Sequence, residues 1–131
     1  MNKEIRWKQR FENFEKAFRT LERTVAIENP SEAERGGLIQ FFEVAFELAW
    51  KTLKDYLEAD GFVVKGPRDV LKQGFQSGVI KNGHVWMEAL DNRNLTTHTY
   101  NEELCLKIDR LIREDYFPAI SDLYVVLNSE V

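Results

Sequence analysis

Between Asp91 and Glu102 the chain reads Asp-Asn-Arg-Asn-Leu-Thr-Thr-His-Thr-Tyr-Asn-Glu, which gathers Arg93, His98 and Tyr100 into one short stretch. An arginine presents a planar fork of donors to an oxyanion, and a histidine exchanges a proton near neutral pH. A phenol adds a donor and acceptor, and Asn94 can orient the segment or touch an anion. The set suits one small anion, provided the side chains converge. On an unbroken helix, at about 100° per residue, Arg93 and His98 would point roughly 140° apart. Asn94, Thr96, Thr97, His98 and Thr99 are all weak helix formers, so a break between two helices is expected here. Thr99 with Glu102 is a capping-box pattern that would restart a helix near Tyr100, and Asn101 is a rival N-cap. The bland alternative is that Arg93 caps the preceding helix while His98 and Tyr100 are ordinary turn residues.

Other chemistries lack residues. His84 and His98 are the only histidines, fourteen positions apart, and Cys105 is the only cysteine. No metal-ligand pattern, nucleophile elbow, P-loop or dinucleotide fingerprint is present, so neither a metal nor another cofactor is expected. A single cysteine permits no internal disulfide. The charged N-terminus and the lack of any apolar run of ~20 residues point to a cytoplasmic protein with no membrane segment. The formal net charge of −4 argues against broad, non-specific nucleic-acid binding. Residues 51–93 hold seven basic and six acidic side chains, whereas Asn94 to the end holds three and seven. An RNA-directed activity would need a local basic cleft.

The elements that must position the motif are helical. With 131 residues, 44% hydrophobic and 31% charged, the chain is expected to form one globular domain over residues 1–131. Trp7, Phe11, Phe14, Phe18, Leu21 and Val25 repeat at helical spacing and predict a first helix from Lys3 to Ile27, ended by Glu28-Asn29-Pro30. Ser31 with Glu34 opens a second helix, although Gly36-Gly37 could delay it to Leu38; it runs to Ala59. Its apolar arc is wide (Ile39, Phe42, Phe46, Ala49, Leu53 and Tyr56, flanked by Phe41, Ala45, Leu48 and Trp50), so this helix is central or shared with a second subunit. Glu43, Glu47, Lys51 and Asp55, with Lys54 and Glu58, are spaced for intrahelical ion pairs. A cleft lined by Glu47 and Lys51 is the alternative. Phe62–Gly66 is a link, Pro67 to Gly78 a third helix, and His84 to Asn92 a short continuation. The last helix is expected from Tyr100 to Leu127, kinked at Pro118. The fold class is therefore all-α: an antiparallel, up-and-down four-helix bundle with one helix broken.

Arg, four residues, His, one residue, Tyr is similar to the signature of the HEPN superfamily. Phe42-Glu43, Phe46 through Leu57, Pro67-Arg68-Asp69-Val70, Gly78-Val79-Ile80 and Trp86 through Tyr100 resemble one branch, the nucleotidyltransferase substrate-binding protein family. The resemblance covers nearly the whole chain. It implies a HEPN-like homodimer with the motifs of two subunits around a shared cleft, and a separate minimal nucleotidyltransferase as partner. It implies a metal-independent endoribonuclease toxin in which Arg93 and His98 are catalytic and Asn94 and Tyr100 meet the phosphate. Tyr100 is also the implied acceptor of nucleotidyl groups from the partner. The alternative within the resemblance is a non-catalytic subunit that presents a nucleotide or substrate to the nucleotidyltransferase. A helical scaffold with a purely structural motif is the third reading.

Overall fold

Asn2 starts α1 (Lys3–Val25) by accepting a hydrogen bond from the Glu4 backbone N–H at 2.8 Å. The computed structural model describes residues 2–95 and 101–131. Trp7, Phe11, Phe14, Phe18 and Leu21 bury one face of α1, as their spacing requires. Asn29 then turns the chain with φ 51°, a left-handed conformation that asparagine tolerates. The next helix, α2 (Glu32–Ala59), begins at the capping box and not at Leu38. Ser31 Oγ accepts from the Glu34 N–H at 3.1 Å, and Glu34 Oε1 accepts from the Ser31 N–H at 2.8 Å. Satisfying two orphan donors fixes the first turn, and that outweighs the roughly 0.5–1 kcal/mol that each of Gly36 and Gly37 costs.

Pro67 opens α3 (Pro67–Gln76), and Asp69 at its N-terminus accepts from the Lys65 N–H at 3.0 Å. Gly74 lets α3 approach α2 closely, because a Cβ there would stand 2.9 Å from Leu53 Cδ2. A turn with Gly78 at φ 76° leads to α4 (Gly83–Asn92). After the motif, Asn101 is the N-cap in use: it accepts from the Leu104 N–H at 3.0 Å and starts α5 (Glu102–Leu111). Thr99 lies outside the described residues.

The last helical stretch corrects the expected proline kink in form. Residues Ile112–Tyr116 make a π turn, with the Phe117 N–H bonded to the Ile112 carbonyl, and α6 (Phe117–Asn128) follows directly. Pro118 has no N–H to give, and in a continuous α-helix its ring would strike the carbonyl four residues earlier. The wider turn restarts the helix with Pro118 in its first turn, where the missing donor costs nothing.

The fold is an all-α bundle, with no strand among the described residues. α2 packs against α1, α3, α5 and α6, while α4 lies on α3 and the π turn. One continuous core joins the helices and is rich in rings. Phe18 stacks on Tyr124 at 4.4 Å and on Phe117 at 5.6 Å, and Phe46 lies 5.6 Å from Trp86. Most of the wide face of α2 is thereby buried within one chain; Phe41 and Val44 remain exposed.

The charges of α2 do not form the expected intrahelical pairs among the described residues. Asp55 instead bonds Arg10 of α1 at 2.6 Å, and Glu47 reaches Arg93. Both carboxylates flank the core, where a neighbouring element brings a cation into a partly buried site. An exposed pair along the helix would gain only about 0.3–0.5 kcal/mol. Among the described residues, no helix is long and apolar enough to cross a membrane.

Candidate functional site

Arg93 is the residue at which α4 ends, so it is positioned as the bland reading required, but its side chain does more than close a helix. It turns toward α2, where its Nε lies 3.1 Å from Glu47 Oε1. The other oxygen of that carboxylate, Oε2, accepts from Trp50 Nε1 at 3.0 Å. Trp50 thus fixes the carboxylate, and the carboxylate fixes the plane of the guanidinium. Arg93 Nη1 is buried and has no hydrogen-bond partner among the described residues. A buried donor left unpaired costs about 1–3 kcal/mol, more when charged, and Trp7 Nε1, Arg35 Nε and Arg113 Nη2 share that state among the described residues.

The backbone under Arg93 is anchored by its neighbour. Asn92 Nδ2 donates to the hydroxyl of Tyr116 at 2.8 Å. Tyr116 belongs to the π turn and is almost fully buried, and burial pushes its phenol up to about 12. The Glu88 carboxylate pushes the same way, while the Asn92 bond pulls against it. The Leu95 N–H closes a turn on the Asn92 carbonyl at 3.0 Å, and Asn94 is exposed in that turn. His98 and Tyr100 lie outside the described residues.

Arg93 also lines a cleft of about 570 Å³ with Gly66, Pro67, Arg68, Asp69, Leu90 and Asp91, onto which the N-terminus of α3 opens with two carboxylates beside the two guanidiniums. Arg68 Nη2 bonds Asp91 Oδ1 at 2.5 Å and is exposed. Two guanidiniums therefore face one cleft, each with a single carboxylate partner among the described residues. The arrangement can grip an oxyanion: the forks supply charge-assisted donors, and the helix N-terminus adds a favourable field. Among the described residues, no three His, Cys, Asp or Glu side chains converge as metal ligands. Cys105 is partly buried against the core.

Sequence reasoning favoured ion pairs along α2 for Glu47, although its position beside the apolar stripe and three residues before Trp50 was a usable signal. Arg68 was legible only within the Pro67-Arg68-Asp69-Val70 resemblance, and Tyr116 carried no such signal, since only the packing of the π turn against α4 brings it here.

The family model described as nucleotidyltransferase substrate binding protein like matches residues 9–129. The chain belongs to that family. A protein of Thermus thermophilus, known from a crystal structure, is 35% identical with a TM-score of 0.78. That likeness covers 88% of this chain and 97% of the other. A protein of Haemophilus influenzae named probable ribonuclease HepT is 32% identical over 77 residues, 55% of this chain and 53% of its own length. The chain thus spans about half the length of that curated relative. The expected HEPN-like, substrate-binding family and the helical bundle both hold.

Proposed function

We propose that this protein is a metal-independent endoribonuclease of the HEPN type, the toxin of a pair whose antitoxin is a minimal nucleotidyltransferase. The observation that carries the reading is the Arg93 guanidinium, fixed by Glu47 and Trp50, with an unpaired buried donor five residues before His98. The name of the Haemophilus relative supports it.

In the reaction, His98 takes the proton from a ribose 2′-hydroxyl, whose oxygen then attacks the adjacent phosphorus. The P–O5′ bond breaks, and the leaving oxygen receives a proton. The products are a 2′,3′-cyclic phosphate and a 5′-hydroxyl. Negative charge grows on the equatorial oxygens of the phosphorane, where Arg93 donates. Asn94 orients the turn or touches the phosphate. Tyr100 contacts the phosphate and accepts nucleotidyl groups from the partner.

RNA cleavage by the purified protein in EDTA, with a cyclic phosphate end, is the expected result. His98→Ala should lower the rate about a hundredfold or more. Arg93→Ala should lower it by ~10²–10³, and Arg93→Lys should restore it only in part. Cleavage that persists in both alanine variants would remove the site. With partner, ATP and Mg²⁺, the protein should gain AMP masses that Tyr100→Phe abolishes.

The family description favours a second reading, a non-catalytic subunit that binds a nucleotide for the nucleotidyltransferase. That reading expects no cleavage by the native protein and loss of nucleotide or partner binding in the same variants.

A further inference from the structure

A second groove lies between α3 and α4. It encloses about 400 Å³ and is lined by Lys72, Phe75, Lys81, His84 and Met87, among others, with no carboxylate among its lining residues. Phe75 is 53% exposed. Its ring lies close over Gly83, where a Cβ would stand 3.2 Å from Cδ1 and the ring would have to give slightly. Lys72 and Lys81 are exposed, and neither forms an ion pair with a described residue.

On a chain of net charge −4, a groove with two such lysines, an imidazole and a half-open aromatic ring stands apart. It is also continuous with the candidate site. Met87 lines the groove and lies 3.9 Å from Arg68 Nη1, and Arg68 lines the cleft that holds Arg93. From His84 to Asp91 along α4 is about 10 Å at 1.5 Å per residue, so the two sites are a short strand apart.

We propose that this groove binds single-stranded RNA and leads it to Arg93. A base stacks on Phe75, and the flanking phosphates meet Lys72 and Lys81. The inference rests on the ribonuclease reading and adds where the rest of the substrate lies. Stacking suits a sequence-tolerant contact, because every base has a π face. The lysines supply the salt-dependent part of the affinity without making the whole protein basic.

The test is fluorescence anisotropy of a short labelled 2′-O-methyl oligouridine, which has no 2′-hydroxyl to attack and stays intact. The native protein should bind it. Phe75→Ala should weaken binding roughly tenfold, and Phe75→Trp should retain it. Lys72→Gln with Lys81→Gln should reduce the slope of log K against log salt by about 1.4, the value for two single-strand phosphates. In a cleavage assay the Phe75→Ala change should fall mainly on KM. Circular dichroism should show all variants folded, since these side chains are exposed.

No binding by the native protein, or binding indifferent to Phe75 and both lysines, would overturn the proposal. So would variants that keep RNA affinity but lose a nucleotidyltransferase partner, because the groove would then be a protein-docking surface. RNA binding through the groove without any cleavage by the native protein would sink the ribonuclease reading and leave the groove standing. Cleavage that needs Arg93 and His98 with an unchanged KM in the groove variants would do the reverse.

Discussion

Glu47 meets Arg93 on its Nε side, and the buried Nη1 has no partner among the described residues. On the ribonuclease reading proposed above, the carboxylate acts through the arginine as a positioning residue. Glu47→Ala should lower kcat on the order of tenfold to a hundredfold by letting the guanidinium swing, with a smaller effect on KM. Glu47→Gln keeps an acceptor oxygen for Arg93 or Trp50 and should recover part of the loss. An Ala variant as active as the native protein would show that Arg93 needs no such support. One turn earlier, Glu43 is half-buried, and burial raises its carboxyl above the usual range. A raised carboxyl favours the folded state while protonated, so its contribution is present below about pH 4 and is lost as pH rises through the folded value. Glu43→Gln should therefore raise Tm at neutral pH by a few degrees at most, with the gain vanishing in acid. Thermal melts across that pH range check both the sign and the window.

At the scale of elements, the π turn links α5 and α6 to the end of α4. It places Tyr116 so that its hydroxyl accepts from Asn92, the residue before Arg93. Phe42 stacks on the same ring at 5.4 Å, which ties the anchor to α2 as well. Tyr116→Phe keeps the packing and removes one hydrogen bond, at a cost of about 1 kcal/mol. It should also lower cleavage by loosening the turn that carries Arg93. The phenol gives a pH signature of its own. Unfolded tyrosine ionises near pH 10, while burial holds Tyr116 protonated to about 12. The unfolded state loses the proton first, so this part of the stability is intact below about pH 10 and is lost between there and 12. Denaturant unfolding should show that alkaline slope in the native protein and a flatter one in Tyr116→Phe.

For the whole molecule, the bundle hides most of the aromatic face of α2, which narrows the argument for a second subunit. What remains open on that helix is Phe41 and Val44, three residues apart and next to the half-buried Leu48. The homodimer is proposed through this stripe. Sedimentation at micromolar concentration should give twice the 15.4 kDa of the chain, and Phe41→Glu with Val44→Glu should return it to a monomer. A native monomer would remove the dimer and the shared-cleft mechanism with it. The exposed positions of both side chains mean that the variant should keep its fold.

Helical periodicity by itself determined the bundle, because a stripe such as Trp7, Phe11, Phe14, Phe18 and Leu21 can be buried in only one secondary structure. The Ser31–Glu34 box and Pro67 marked helix starts for equally local reasons, since caps and proline act within one turn. The family signature was legible too, because it is a spacing along the chain. Partners across the chain were not. Glu47 chose Arg93 over Lys51, and Asp55 chose Arg10, because partly buried positions beside the core gain more from a cation on the next element than from one along the same helix. Pro118 forecast a disturbance, but whether the helix would bend or widen depended on how Tyr116 packs against Phe42 and Asn92. The groove at Phe75 has the same origin: it exists only because α3 and α4 fold back on each other and leave one ring uncovered.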